Sequence, residues 1–258
     1  MDRHELYEQC VQSPEDVVRL LRTMHGGEPL VLGEDFCGTA AVSREWVRSV
    51  PGGRAIALDA DAPVLALARE RAAREGRARI EFVLGDARTA SDSIRHRCDV
   101  LFVGNFSIGE LGARAELVAY LRHVRSRLAA NGVLAFDLYG GASAQRTGQV
   151  ERAHTLRDGR RARYVWEQAS FDPRTGRVEN ALHFRVEDAG EIVEEHLRAF
   201  VYRWRLWSLP ELADALSEAG FAPIELWNEL PIEGLARPIR SDSELSESWI
   251  ACVSARPR

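Results

Sequence analysis

Cysteine is sparse in this chain and scattered. Its four residues, Cys10, Cys37, Cys98 and Cys252, form no C-x-x-C pair and no spacing that gathers metal ligands. A disulfide framework and a bound metal are therefore not expected, and reduced thiols in a cytoplasmic protein are the economical reading. Charge of one sign is lacking too: 34 basic residues stand against 39 acidic ones, the formal net charge is -5, and neither sign runs in long blocks. Such a balance argues against duplex or long RNA as a partner. No apolar run reaches membrane-spanning length, and the opening Met1 to Glu5 does not read as a signal peptide. Internal repeats and low-complexity segments are absent. What remains is an enzyme-sized chain of 258 residues, able to bury a large core.

What is present centres on Leu30 to Ala41. Leu30, Val31 and Leu32 run into the acidic pair Glu34-Asp35, then Phe36-Cys37-Gly38-Thr39-Ala40, and a helical pattern starts at once. This predicts a buried strand turning sharply into a helix, the place where open α/β sheets bind ligands. The helix start offers unpaired backbone N–H groups, and the acidic pair is placed to face a cation or hydroxyls. A second strand, Arg54 to Leu58, ends at Asp59, 19 residues beyond Ala40. One carboxylate there can accept from both vicinal hydroxyls of a ribose. The alternative for Asp59 is a helix cap, a role that Asp61 and Pro63 already fill. A third strand, Arg79 to Leu84, leads to Gly85-Asp86-Ala87, and a fourth, Val100 to Val103, closes on Gly104-Asn105-Phe106-Ser107.

The helix Ala113 to Leu128 carries Leu117, Tyr120, Leu121, Val124 and Leu128 on one side, with Arg122, Arg125 and Arg127 largely on another. Asn131-Gly132 is expected to end it before a fifth strand, Val133 to Leu138, with Tyr139 at the strand's mouth. Residues 150 to 207 read as strands separated by turn chemistry at Asp158-Gly159, Asp172 to Gly176 and Asp188 to Gly190. The last run alternates, which predicts His196, Arg198, Phe200, Tyr202 and Trp204 on one face and Leu197, Ala199 and Val201 on the other. Ser208 and Glu211 then form a capping box. A sixth strand from Phe221 to Trp227 and a seventh, antiparallel, from Ser248 to Ser254 complete the pattern, with a polar loop at 228 to 245 between them.

The stretch from Glu34 resembles motif I of the class I S-adenosylmethionine-dependent methyltransferases, acid-x-Gly-x-Gly-x-Gly, with Phe36 and Ala40 in place of the outer glycines. The resemblance in element order runs from residue 28 to about 140. It implies a Rossmann-like seven-stranded α/β sheet with helices on both faces, plus an inserted antiparallel β meander. The division it suggests is a helical lid at 1 to 27, a cofactor core at 28 to 149, the insertion at 150 to 207, and completion of the core at 208 to 258. It further implies S-adenosyl-L-methionine as cofactor, held by Glu34, Phe36, Cys37, Gly38, Asp59, Ala60, Asp86, Ala87 and Asn105. Asp86 would take the adenine amino group, and Asn105 would hold the cofactor's amino group or orient a substrate hydroxyl or amine.

For substrate the candidates are Tyr7 in the lid, Tyr139, and Arg198 and Tyr202 in the insertion, which would roof the pocket or build a homodimer interface. For each aromatic the plain alternative is packing. No general base is assigned, because a sulfonium is an activated leaving group and alignment does most of the work; His183 and His196 remain structural. The expected function is methyl transfer to a small-molecule nitrogen or oxygen. Two other classes stay open: a nicotinamide-dependent oxidoreductase, which expects a Gly-x-Gly-x-x-Gly turn this chain lacks, and a non-catalytic cofactor- or nucleotide-binding protein.

Overall fold

The apolar run at Leu32 and the alternation in its neighbours form a mixed sheet in the computed structural model, which describes residues 1–89, 97–228, 237–239 and 243–258. Five parallel strands come first: β1 (Val31–Asp35), β2 (Arg54–Asp59), β3 (Ile80–Leu84), β4 (Cys98–Val103) and β5 (Leu128–Gly140). The inserted strands are β6 (Gly148–Thr155), β7 (Arg161–Asp172), β8 (Arg177–Asp188) and β9 (Glu191–Arg205). Then β10 (Phe221–Asn228) and β11 (Trp249–Pro257) close the core sheet, β11 running antiparallel to β5 and β10. The core order is β10-β11-β5-β4-β1-β2-β3, and the insertion is a separate sheet in the order β6-β7-β8-β9.

Strand parity divides the core between two faces. Leu32, Ala55, Val100, Phe102, Val133 and Ala135 pack with α2 (Pro14–His25) and α3 (Ala41–Ser49). On the same side, Ala57 meets Leu65 and Ala68 of α4 (Ala62–Arg74). Ile56, Leu58, Leu101, Leu134 and Phe136 pack with α5 (Arg114–Arg127) and α6 (Leu209–Glu218) on the other. Asp61 caps α4 through the Val64 N–H, and the Ser208–Glu211 capping box is complete in both directions.

Two expectations change. Asn131-Gly132 does not end α5: the helix stops at Leu128, whose backbone is already extended, and the strand begins there. Arg127 does not join the exposed arginines; it turns inward and is 4% exposed. The polar stretch at 88 to 97, whose sequence reads as a short helix or loop, and the polar loop at 228 to 245 fall largely on residues 90–96, 229–236 and 240–242, outside the described residues. None of the four cysteines forms a disulfide, and all are buried. Among the described residues no helix is long and apolar enough to cross a membrane, and no cluster of metal-ligating side chains occurs.

The inserted sheet is fastened to the core at both ends. The Trp204 indole donates to Glu110 at 2.8 Å and lies so close to Gly109 that a Cβ there would sit 2.8 Å from it. The Trp207 indole donates to the Leu111 carbonyl at 3.0 Å. At the other end α1 (Arg3–Cys10) buries Leu6 and Cys10 among Leu156, Ala162, Tyr164, Leu182 and Phe184 of the insertion.

Candidate functional site

The five parallel strands end along one edge, and the turn after β1 is the tightest part of it. Phe36, Gly38 and Ala40 all have left-handed backbone, with φ of +56°, +54° and +55°. The motif's outer glycines are thus replaced while the conformation that favours glycine is kept, at a cost of about 1–2 kcal/mol per residue. Packing compensates: the Phe36 ring meets Tyr120 edge-on at 6.2 Å, and Ala40 is fully buried. A Cβ on Gly38 would meet nothing within 4 Å, so the space over this turn is open.

Asp59 braces the turn from β2. Its Oδ2 accepts the Gly38 N–H at 2.7 Å and its Oδ1 the Asp61 N–H at 2.9 Å, while the Cys37 N–H donates to the Leu58 carbonyl. Ala60, beside it, is exposed. Glu34 is brought close to Asp59 but lies under α3, 5% exposed, accepting from the Ser43 N–H at 2.8 Å and from the Ser43 hydroxyl. Burial pushes its carboxyl up to about 7, against the hydrogen bonds from Ser43 and the Arg44 charge, which pull it down. Asp35 alternates to the other face. Fully buried, it takes both Arg127 nitrogens at 2.8 Å and the Tyr120 hydroxyl at 2.8 Å. The acidic pair therefore does not face the mouth together, because adjacent strand residues point to opposite sides.

At the end of β3, Asp86 is clamped by Arg88, whose Nη2 lies at 2.6 Å and whose other arm reaches Glu116 at 3.0 Å. The guanidinium holds the Asp86 carboxyl below its ordinary range. Ala87 is buried. At the end of β4 two successive residues, Asn105 (φ +56°) and Phe106 (φ +62°), are left-handed. Their N–H groups donate to the two oxygens of Asp137, at 3.0 and 2.7 Å. The Phe106 ring thereby faces Tyr139 at 5.0 Å, Trp166 at 5.9 Å and Trp204 at 6.1 Å.

The inserted sheet completes this wall. Tyr202 stacks on Trp204 at 4.4 Å and shares a hydrogen bond with Tyr7 of α1. The Tyr139 hydroxyl accepts from Asn180 Nδ2 at 2.9 Å and donates to Gln168 at 3.4 Å; Oδ1 of the fully buried Asn180 finds no partner among the described residues. Burial raises the Tyr7, Tyr139 and Tyr202 hydroxyls above their ordinary value, and raises Glu110 as well.

Arg198 is not in this wall, contrary to the alternation. It sits in a β-bulge with φ +48° between the Leu182–Phe200 and Phe184–His196 pairs, where β9 carries two more residues than β8, so the alternation breaks locally and resumes at Phe200. Its guanidinium lies on the outer face, pairing with Glu179 at 2.7 Å, and Ala199 turns in to be buried instead. His183 lies on the same outer face, its Nδ1 accepting the Arg198 N–H at 3.2 Å and its Nε2 2.9 Å from Glu167.

A second group of site residues had no motif to announce it. Glu8 of α1 contacts Arg44 at 2.6 Å and Arg71 at 2.7 Å and accepts from the Thr39 hydroxyl, so the helix is bolted to the β1 turn and to α4. Met1 pairs with Glu194 and Arg3 donates to the Ala199 carbonyl, tying the same helix to the insertion. Asp137, Gln168 and Asn180 were also missed. An acid at a strand end was the available signal for Asp137; the two amides carry none.

Residues 35–132 match the family described as Methyltransferase domain. Among curated proteins no sequence relative matches. Solved structures match over nearly the whole chain. An S-adenosylmethionine-dependent methyltransferase from Clostridium acetobutylicum ATCC 824 has a TM-score of 0.73 at 12% identity, covering 98% of this chain and 97% of that one. KedS8, a sugar N-methyltransferase from Streptoalloteichus sp ATCC 53650, has a TM-score of 0.68 at 16% identity, covering 100% and 94%. CalS10, an amino pentose methyltransferase from Micromonospora echinaspora, has a TM-score of 0.67 at 19% identity, covering 97% and 95%. At these identities the likeness shows the fold.

Proposed function

We propose that the chain is a class I S-adenosylmethionine-dependent methyltransferase and that it methylates a nitrogen on a small, ring-bearing molecule held beneath the β roof. The observation that carries this reading is the edge where Asp59, Asp86 and the Asn105–Phe106 elbow follow three strands of the core, with Phe106 in ring contact with the aromatic inner side of the insertion.

The open space over Gly38 and the lone pairs left on Asp59 fit a nucleoside with vicinal hydroxyls. Gly38, Asp59 and Ala60 would hold its ribose side, with Asp86 and Ala87 at the base; Phe36 and Cys37 shape the turn, and Glu34 supports it from beneath. When bound, S-adenosylmethionine supplies a methyl group on an already activated sulfonium. The chain's own part is to align the nucleophile and exclude water. Phe106, Trp166, Trp204 and Tyr202 present apolar ring faces, and Tyr7 closes the side toward α1. No described histidine is placed to serve as base, and an amine needs only to arrive neutral.

Three features favour a nitrogen on a sugar-like ring. Aromatic faces suit a cyclic body with C–H edges, Glu110 borders the wall as a hydrogen-bond acceptor for an amine N–H, and CalS10 and KedS8 are described as acting on an amino pentose and on a sugar nitrogen. The test is transfer of labelled methyl from S-adenosylmethionine to a panel of amino sugars and their hydroxyl analogues, read by mass spectrometry. Labelled N-methyl product is expected from at least one amine. Label only on the hydroxyl analogues would move the nucleophile to oxygen, and no transfer despite bound cofactor would make the chain a binding protein.

A further inference from the structure

We propose that Asp137 is a positioning residue for the methyl-transfer wall, acting through the two backbone N–H groups that follow β4. The Asn105–Phe106 elbow has two left-handed residues in succession, and a phenylalanine has no local means of favouring that conformation. A short asparagine can satisfy itself there; Phe106 depends on its surroundings. What the surroundings supply is a carboxylate reaching across from β5. Its two oxygens each take one N–H, at 3.0 Å from Asn105 and 2.7 Å from Phe106. Successive N–H groups converging on the two oxygens of one carboxyl group form a concave nest.

The consequence falls on the Phe106 ring. With its backbone pinned, the ring meets Tyr139 on the same strand as Asp137 and reaches Trp166 and Trp204 of the insertion. Among the described residues it is the one core side chain in ring contact with all three. Asp137 therefore fixes where the wall of the cofactor edge meets the roof, through the two N–H groups that its oxygens accept. Should the elbow relax to right-handed backbone, the ring would leave this junction and open the space to water.

The functional meaning rests on the methyl-transfer reading, whereas the geometry is tested without any substrate. Near-UV circular dichroism reports the coupled rings, and far-UV dichroism reports the fold. Asp137→Ala is expected to lose at least half of the near-UV aromatic signal with the far-UV spectrum unchanged. Phe106→Leu is expected to lose a similar share, and the double variant no more than either single one, because both changes remove the same ring from the same junction. Asp137→Asn, which keeps one acceptor oxygen, is expected to fall between, and it serves if Asp137→Ala does not fold. A near-UV spectrum unchanged in Asp137→Asn and Asp137→Ala, or losses that add in full in the double variant, would overturn the proposal. Titration of the wild-type protein with S-adenosylhomocysteine reports separately on the methyl-transfer reading: binding is expected, and its absence would sink that reading while leaving the dichroism test of the elbow intact.

Discussion

Ala40 shows how much a single position in the β1 turn is asked to do. It is left-handed and fully buried, so glycine would relieve the backbone but lose a packed methyl. Those terms nearly cancel, and Ala40→Gly is expected to lie within about 1 kcal/mol of wild type in a denaturant melt. Ala40→Val adds a β-branch in that conformation and crowds a filled site, so it is expected to lose about 3 kcal/mol. Glu34 carries a pH signature. Its folded carboxyl stays protonated to about 7 against an ordinary 4.5. Between those values the folded chain binds the extra proton, so stability falls as pH rises from 4.5 through 7. The displacement corresponds to about 3 kcal/mol at most. Glu34→Gln keeps an acceptor for Ser43 and cannot ionise, so its melting temperature is expected to lose this decline; an unaltered pH profile would contradict the assignment.

At the scale of elements, α5 is locked to β1 by a buried ion pair. Arg127→Met would leave Asp35 charged and unpaired in the core, and a loss of about 3–5 kcal/mol is expected from chemical denaturation. Why this pair escaped the sequence is plain: an arginine in the last turn of a helix reads as a solvated cation, and only the tertiary position of Asp35 turns it inward. The strand ends were legible for the opposite reason. Glycine turns and acids following short apolar runs are local features, and they marked the carboxyl edge of β1 to β4 correctly. The period-2 pattern of β9 held for His196, Phe200, Tyr202 and Trp204 and failed at Arg198 and Ala199, because two extra residues bulge there and leave no local trace in the sequence. The amides Gln168 and Asn180 were invisible because a polar residue on a strand gives no sign of which partner the opposite sheet will bring.

For the whole molecule, α1 bridges two bodies that also meet around Glu110, Leu111 and Tyr139. Its Glu8 binds the core arginines, and Met1 and Arg3 bind the insertion. Glu8→Gln removes the charge shared by Arg44 and Arg71, so protection from hydrogen exchange is expected to drop across 3–10 and in the β1 turn, with the seven-stranded sheet unaffected. Equal loss of protection throughout would mean that the helix is part of the global fold rather than a separable cover. The central claim concerns adenosine held at the strand tips, and calorimetric titration with S-adenosylhomocysteine tests it most directly. Wild type is expected to bind one equivalent, and Asp59→Ala to bind at least tenfold more weakly (about 1.4 kcal/mol). No heat from the wild-type protein, or an affinity indifferent to Asp59→Ala, would contradict it.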